Sequence, residues 1–146
     1  MKLFCLLCFA AGPIQSSALL KNLQHTLPFS TAGAGTVSVT GPNANYSEGD
    51  TGYYGPHNVC GGHYWNVVDS VQKYAAKTTT VALPGATRAA SAAQIAAAVA
   101  DCAAADTCVI AVGTDLAWAS EGHDASNISF TDSQAQLLSQ AAAAAN

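Results

Sequence analysis

Apolar and polar positions change period several times along this chain, and each change marks an element. Residues Leu3 to Ala11 form a nine-residue apolar run behind a single Lys2. Two readings fit that run. It resembles the start of a secretory signal, or it begins a buried helix that continues through Ile14, Ala18, Leu19 and Leu20. A bilayer span needs ~20 apolar residues, and Gly12-Pro13 ends this run too early for that. Thr36-Val37-Ser38-Val39-Thr40 alternates β-branched and small residues and stops at Gly41-Pro42-Asn43, which reads as a short strand closed by a turn.

From Asn43 to Gly62 the chain is rich in Gly, Asn, Tyr and Ser and reads as a long loop. Between His63 and Lys77, with Trp65, Val68, Val71, Gln72 and Tyr74-Ala75, the apolar residues recur at helical spacing. Thr78 to Leu83 follows as a second strand, broken by Pro84-Gly85. Ser91 suits the N-cap of an Ala-rich helix through Ala105, because its hydroxyl can accept a free first-turn N–H. Cys108-Val109-Ile110-Ala111-Val112 is continuously apolar, as in a strand buried on both faces. Thr131 or Asp132 can cap a last helix through Leu137 and Leu138 to Ala145. Such alternation predicts an α/β fold, a mainly parallel sheet flanked by helices, because parallel strands need crossover connections. Ligands of such sheets bind beyond the carboxyl ends of the strands, where the loops Gly41 to Gly62 and Gly113 to Phe130 emerge.

Composition narrows the function. The chain has 146 residues, room for one domain. Half of it is apolar, but 31 of those residues are Ala, so the core is adequate and not generous. Five basic residues stand against nine acidic ones, with no basic cluster, which excludes a phosphate-backbone partner as a first reading. Neither nucleic acid nor a membrane is expected as a partner, and no cofactor is expected. The five cysteines are Cys5 and Cys8 in the leader, then Cys60, Cys102 and Cys108. Cys102 and Cys108 flank a helix-to-strand turn across which two side chains can reach bonding distance. A disulfide there is expected if the chain is secreted; two small buried thiols are the alternative. No Cys and His spacing offers zinc a home.

The densest chemistry lies between Gly113 and Phe130. Asp115, Glu121 and Asp124 are three of the nine acids, and His123 and Trp118 lie on the same loop. A Glu acts as a general acid at neutral pH only if burial or a neighbouring carboxylate raises its ordinary value of about 4.3; Asp115 or Asp124 can be that neighbour. Trp118 can stack on a sugar face or fill core. A solvated surface and an oxygen-ligand loop for Ca²⁺ are the competing readings, though the Asp-x-Asp spacing of the latter is absent. There is no Gly-x-Ser-x-Gly elbow and no Gly-Lys-Ser/Thr phosphate cradle. Gly33-Ala34-Gly35 precedes a strand instead of following one, so it is weak evidence for a dinucleotide. His25, His57 and His63 are scattered.

The motif order resembles one family. Leu19-Leu20-Lys21-Asn22 with Leu27-Pro28, the strand ending Gly41-Pro42-Asn43-Ala44-Asn45, and Val112-Gly113-Thr114-Asp115 leading to Glu121-Gly122-His123-Asp124 resemble glycoside hydrolase family 3, in its β-xylosidase and β-glucosidase branch. All match its C-terminal α/β sandwich, over residues 17–146, behind an apolar leader of residues 1–16. The resemblance implies a retaining exo-acting β-glycosidase that cleaves O-glycosyl bonds in xylan or related oligosaccharides, acting outside the cell. Glu121 matches the acid/base, and Asp115, Trp118, His123 and Asp124 are the expected substrate contacts. The nucleophile, an aspartate, belongs to a (β/α)8 barrel that this chain does not carry, and the two carboxyls must stand about 5 to 5.5 Å apart. An isolated chain is therefore expected to be inactive.

The sequence also departs from that family. Ala125 stands where many relatives have Arg, and Glu48 to Tyr54 replaces a Met-Leu-Gly-Asn-Tyr stretch. Relatives continue past the position of Asn146 into the second half of the sandwich, so a partial sheet with an open edge is expected. Two other readings remain: a non-catalytic carbohydrate-binding module, and a gene-model fragment of a longer enzyme. Asn45-Tyr46-Ser47 and Asn127-Ile128-Ser129 are N-glycosylation patterns, informative only for a secreted chain. A glycan at Asn127 is expected to crowd Glu121, which counts against that one.

Overall fold

The computed structural model describes residues 2–4, 18–23, 27–28, 35–47, 64–85 and 89–145. Strands β1 (Lys2–Phe4), β2 (Thr36–Thr40), β3 (Lys77–Val81) and β4 (Thr107–Ile110) form one sheet in the order β1-β4-β2-β3. Every pairing is parallel. Helices α1 (Val67–Gln72), α2 (Ala92–Ala104) and α3 (Asp132–Ala144) supply the layers. The expected α/β architecture is therefore present, with β4 and β2 at its centre.

Alternation along the two central strands sorts their side chains into two cores. Val37, Val39, Val109 and Ala111 pack with Val68 of α1 on one face. Cys108 and Ile110 pack on the other face with Ile95, Ala98 and Cys102 of α2 and Leu137 and Ala141 of α3. Residues Val37 to Thr40 and Thr107 to Ile110 are all buried, as a strand covered on both faces requires. The small side chains of α2 let it lie close to the sheet. Its buried positions 95, 98 and 102 follow the i, i+3, i+7 stripe of an amphipathic helix.

Local chemistry sets the helix ends. Ser91 caps α2 in a capping box with Gln94, each side chain bonding the other's backbone N–H. Thr131 is the N-cap of α3, but its side chain makes no capping bond. Asn66 caps α1 by accepting from the Asp69 N–H at 2.8 Å. That cap starts α1 later than the sequence suggests: the helix expected over His63 to Lys77 occupies only six residues.

The second strand also ends early, at Val81 and not Leu83, because its partner runs out. Thr40 pairs with Val81, and the next residue of β2, Gly41, turns away at φ 112°. A Cβ at Gly41 would strike the Ala111 carbonyl, so the turn there requires glycine.

The amino-terminal reading needs the largest correction. Lys2–Phe4 is a strand paired with β4, so those residues do not begin a helix. Nor are Ala18 to Leu20 helical; Leu19 and Leu20 are exposed. Residues 5–17, and with them the rest of the apolar leader, lie outside the described residues, as do Cys60, His25, His57, His63 and the stretch 48–63. No helix among the described residues is long and apolar enough to cross a membrane.

Cys102 and Cys108 are joined in a disulfide with Cα atoms 5.0 Å apart, linking the last turn of α2 to the start of β4. Beside it, the Asp101 carboxylate accepts from the hydroxyls of Ser38 at 2.7 Å and Thr79 at 2.8 Å. Ser38 and Thr79 are register partners, so one helix carboxylate ties two strands together.

Candidate functional site

The two polar loops singled out in the sequence meet at the carboxyl end of β4. Asn43, just past β2, donates its N–H to the Ala111 carbonyl at 3.1 Å and its side-chain amide to the Thr114 carbonyl at 2.9 Å. The Tyr46 phenol oxygen accepts from the Leu116 N–H. On the other side, Gln134 of α3 bonds both backbone groups of Gly113: Oε1 accepts from its N–H at 2.9 Å, and Nε2 donates to its carbonyl at 3.0 Å. The root of the 113–130 loop is thus clasped from two elements distant in sequence.

Asp115 shapes the loop's first bend. Its Oδ1 accepts from the N–H groups of Ala117 at 3.1 Å and Trp118 at 2.9 Å, the geometry by which Asp folds the backbone two or three residues on. Its Oδ2 faces Gly85 across the mouth of the sheet, where an added Cβ would lie 2.9 Å away. One oxygen of this expected substrate contact is therefore engaged with the backbone.

Trp118, half-buried, lines an open groove of about 220 Å³ with Gly113, Thr114, Asn127, Ile128 and Phe130. Two residues further on, Ser120 and His123 exchange reciprocal backbone hydrogen bonds, each 2.9 Å. This closes a two-residue turn whose central positions are Glu121 and Gly122, and Gly122 has the positive φ of 73° that such a turn uses. Glu121 is exposed at the turn's tip, with His123 and Asp124 exposed behind it. None of these three lines the Trp118 groove.

The structure thus places the five expected site residues on one loop and divides them. Asp115 and Trp118 sit at the root and along the groove, while Glu121, His123 and Asp124 project at the tip. Among the described residues no group of three His, Cys, Asp or Glu side chains converges as metal ligands do. At the tip the Glu121 side chain is exposed.

Sequence reasoning missed the clasp formed by Asn43, Tyr46 and Gln134. One signal was available for Gln134. It occupies the first position of the buried stripe 134, 137, 141 on α3, where an apolar residue is expected; a polar side chain there has to satisfy buried polar groups.

Comparison with known proteins places the chain in a family. The profile of the glycosyl hydrolase family 3 C-terminal domain matches residues 17–146. Beta-D-xylosidase 3 of Arabidopsis thaliana is 34% identical over 135 residues, covering 92% of this chain and 17% of that protein. The chain thus spans about a sixth of that relative's length. No solved structure gives a significant match.

Proposed function

The chain belongs to glycoside hydrolase family 3, carrying its C-terminal domain, and from that premise we propose that Glu121 is the acid/base of a retaining, exo-acting β-xylosidase. The observation that supports this is the turn at residues 120–123. It holds an unshielded carboxyl outward from the loop that leaves the central strand, where a second domain can close over it. Glu121 protonates the departing glycosidic oxygen, and then, as carboxylate, takes a proton from the water that releases the sugar. The nucleophilic carboxylate comes from a (β/α)8 barrel outside these residues, and the substrate is a xylan-derived β-xyloside, handled outside the cell.

This division of labour predicts that the isolated chain does not hydrolyse an aryl β-xyloside. Turnover by the chain alone that Glu121→Gln abolishes would place a nucleophile within it and overturn the proposal. In a longer protein that includes the barrel, Glu121→Ala is expected to slow hydrolysis of alkyl β-xylosides by ~10²–10⁴. Aryl substrates with good leaving groups should suffer less, because departure needs less protonation.

Trp118 favours a second reading, a sugar-binding module without chemistry, because its ring lines a groove from which Glu121 is absent. Under it, xylo-oligosaccharides would change the Trp fluorescence of the isolated chain, and Trp118→Phe would remove the change.

A further inference from the structure

We propose that Asn127 is the acceptor of an N-linked oligosaccharide. The Asn127 Oδ1 accepts a hydrogen bond from the Ser129 N–H, so residues 127–129 form an Asx-turn. In that turn the amide oxygen is engaged and the Nδ2 group makes no hydrogen bond among the described residues. Asn127 and Ser129 are exposed, and Ile128 between them is 103% exposed. All three acceptor positions are exposed at the rim of the Trp118 groove and none belongs to a core cluster, so a bulky glycan displaces no core among the described residues.

The other tripeptide, residues 45–47, contrasts with this. Asn45 is exposed, but its neighbour Tyr46 donates its N–H to the Asn43 carbonyl and accepts from the Leu116 N–H, and both Tyr46 and Ser47 are half-buried. A second, independent observation concerns the compartment. The Cys102–Cys108 disulfide belongs to proteins that mature under oxidising conditions, where lipid-linked oligosaccharide donors are also met. Asn127 lines the Trp118 groove, whereas residues 120–123 of the turn carrying Glu121 do not.

The modification is a group transfer from a lipid-pyrophosphate-linked oligosaccharide. The Asn127 amide nitrogen attacks the anomeric carbon. The carbon–oxygen bond to the pyrophosphate breaks, with the electron pair leaving on that oxygen. A carbon–nitrogen bond forms, and the amide gives up one proton to the transferase's base. The glycan then roots beside the groove. None of this depends on the glycosidase reading.

The test is synthesis of the full 146-residue chain behind a cleavable host signal in a eukaryotic secretory host, and in parallel its import into endoplasmic-reticulum microsomes. Transfer occurs during import, so a poorly folding variant is still read in the microsomes. Asn127→Gln and Ser129→Ala should each remove one glycan's worth of mobility shift, whereas Ser129→Thr and Asn45→Gln should leave that glycan in place. Enzymatic deglycosylation in heavy-oxygen water should convert residue 127 to Asp carrying the label. Recovery of residue 127 as unmodified Asn from imported chain, or a mobility unchanged by Asn127→Gln, would overturn the proposal.

Discussion

The side-chain amide of Gln134 pairs with Gly113 as a β-strand would, accepting from its N–H and donating to its carbonyl. Gln134 is buried, so the last residues of the β4 exit are satisfied by a helix and not by water. Loss of that pair strands two polar backbone groups. Gln134→Ala is expected to destabilise the chain by about 2 kcal/mol, read by urea denaturation. Hydrogen exchange at Gly113 should rise more than exchange in β2.

Gly41 and Gly122 both have positive φ, at 112° and 73°, but they differ in what surrounds them. An added Cβ at Gly41 meets the Ala111 backbone, whereas at Gly122 nothing lies within 4 Å. Gly41→Ala should therefore prevent folding or lower the melting temperature sharply. Gly122→Ala should cost only about 1–2 kcal/mol from the backbone conformation while disturbing the presentation of Glu121. Thermal melts of the two variants separate these outcomes.

The Asp101 carboxylate is the shared acceptor for Ser38 and Thr79, and Ser38 is fully buried. Asp101→Ala removes both bonds and is expected to cost about 2–3 kcal/mol. Asp101→Asn keeps an acceptor oxygen and should cost less. If the two substitutions destabilise equally in chemical denaturation, the hydroxyl contacts are not what the carboxylate contributes.

Between Cys102 and Cys108 the sequence separation is 6, so the covalent loop is short. Chain-entropy reasoning gives a loop of that length about 2 kcal/mol of stabilisation. Reduction, or the double substitution Cys102→Ala with Cys108→Ala, should lower the unfolding free energy read from denaturant titration by that amount without unfolding the chain. A larger loss would mean that the small core around Cys102 and Cys108 repacks poorly.

Glu121 lies exposed at the tip of its turn and belongs to no core cluster of the described residues. Glu121→Gln should leave the melting curve of the isolated chain unchanged, so any activity lost in a longer enzyme would reflect chemistry and not folding.

Much of this protein follows from local pattern. The strand at Thr36–Thr40, the N-cap at Ser91, the helix after it, and the apolar strand before the acidic loop were all legible because each rests on neighbours a few residues apart. The nearness of Cys102 and Cys108 across the helix-to-strand turn was legible too, but the sequence left a disulfide and two buried thiols both open, and only the structure joins them. Glu121 stood out by its company of charged and aromatic residues in a chain with few charges.

Other features depend on partners far along the chain. Strand β3 stops at Val81 because β2 turns at Gly41, and Gly41 must be glycine because Ala111 lies against it. Lys2–Phe4 is a strand because β4 offers it an edge; an apolar run by itself fits a helix equally well. The separation of Trp118 from Glu121, and the grip of Asn43 and Gln134 on the loop root, arise only when the loop closes back on itself and on α3. A sequence carries the period of its own segment, whereas a hydrogen bond or a steric limit between residues 71 apart, such as Asn43 with Thr114, exists only once the chain has folded.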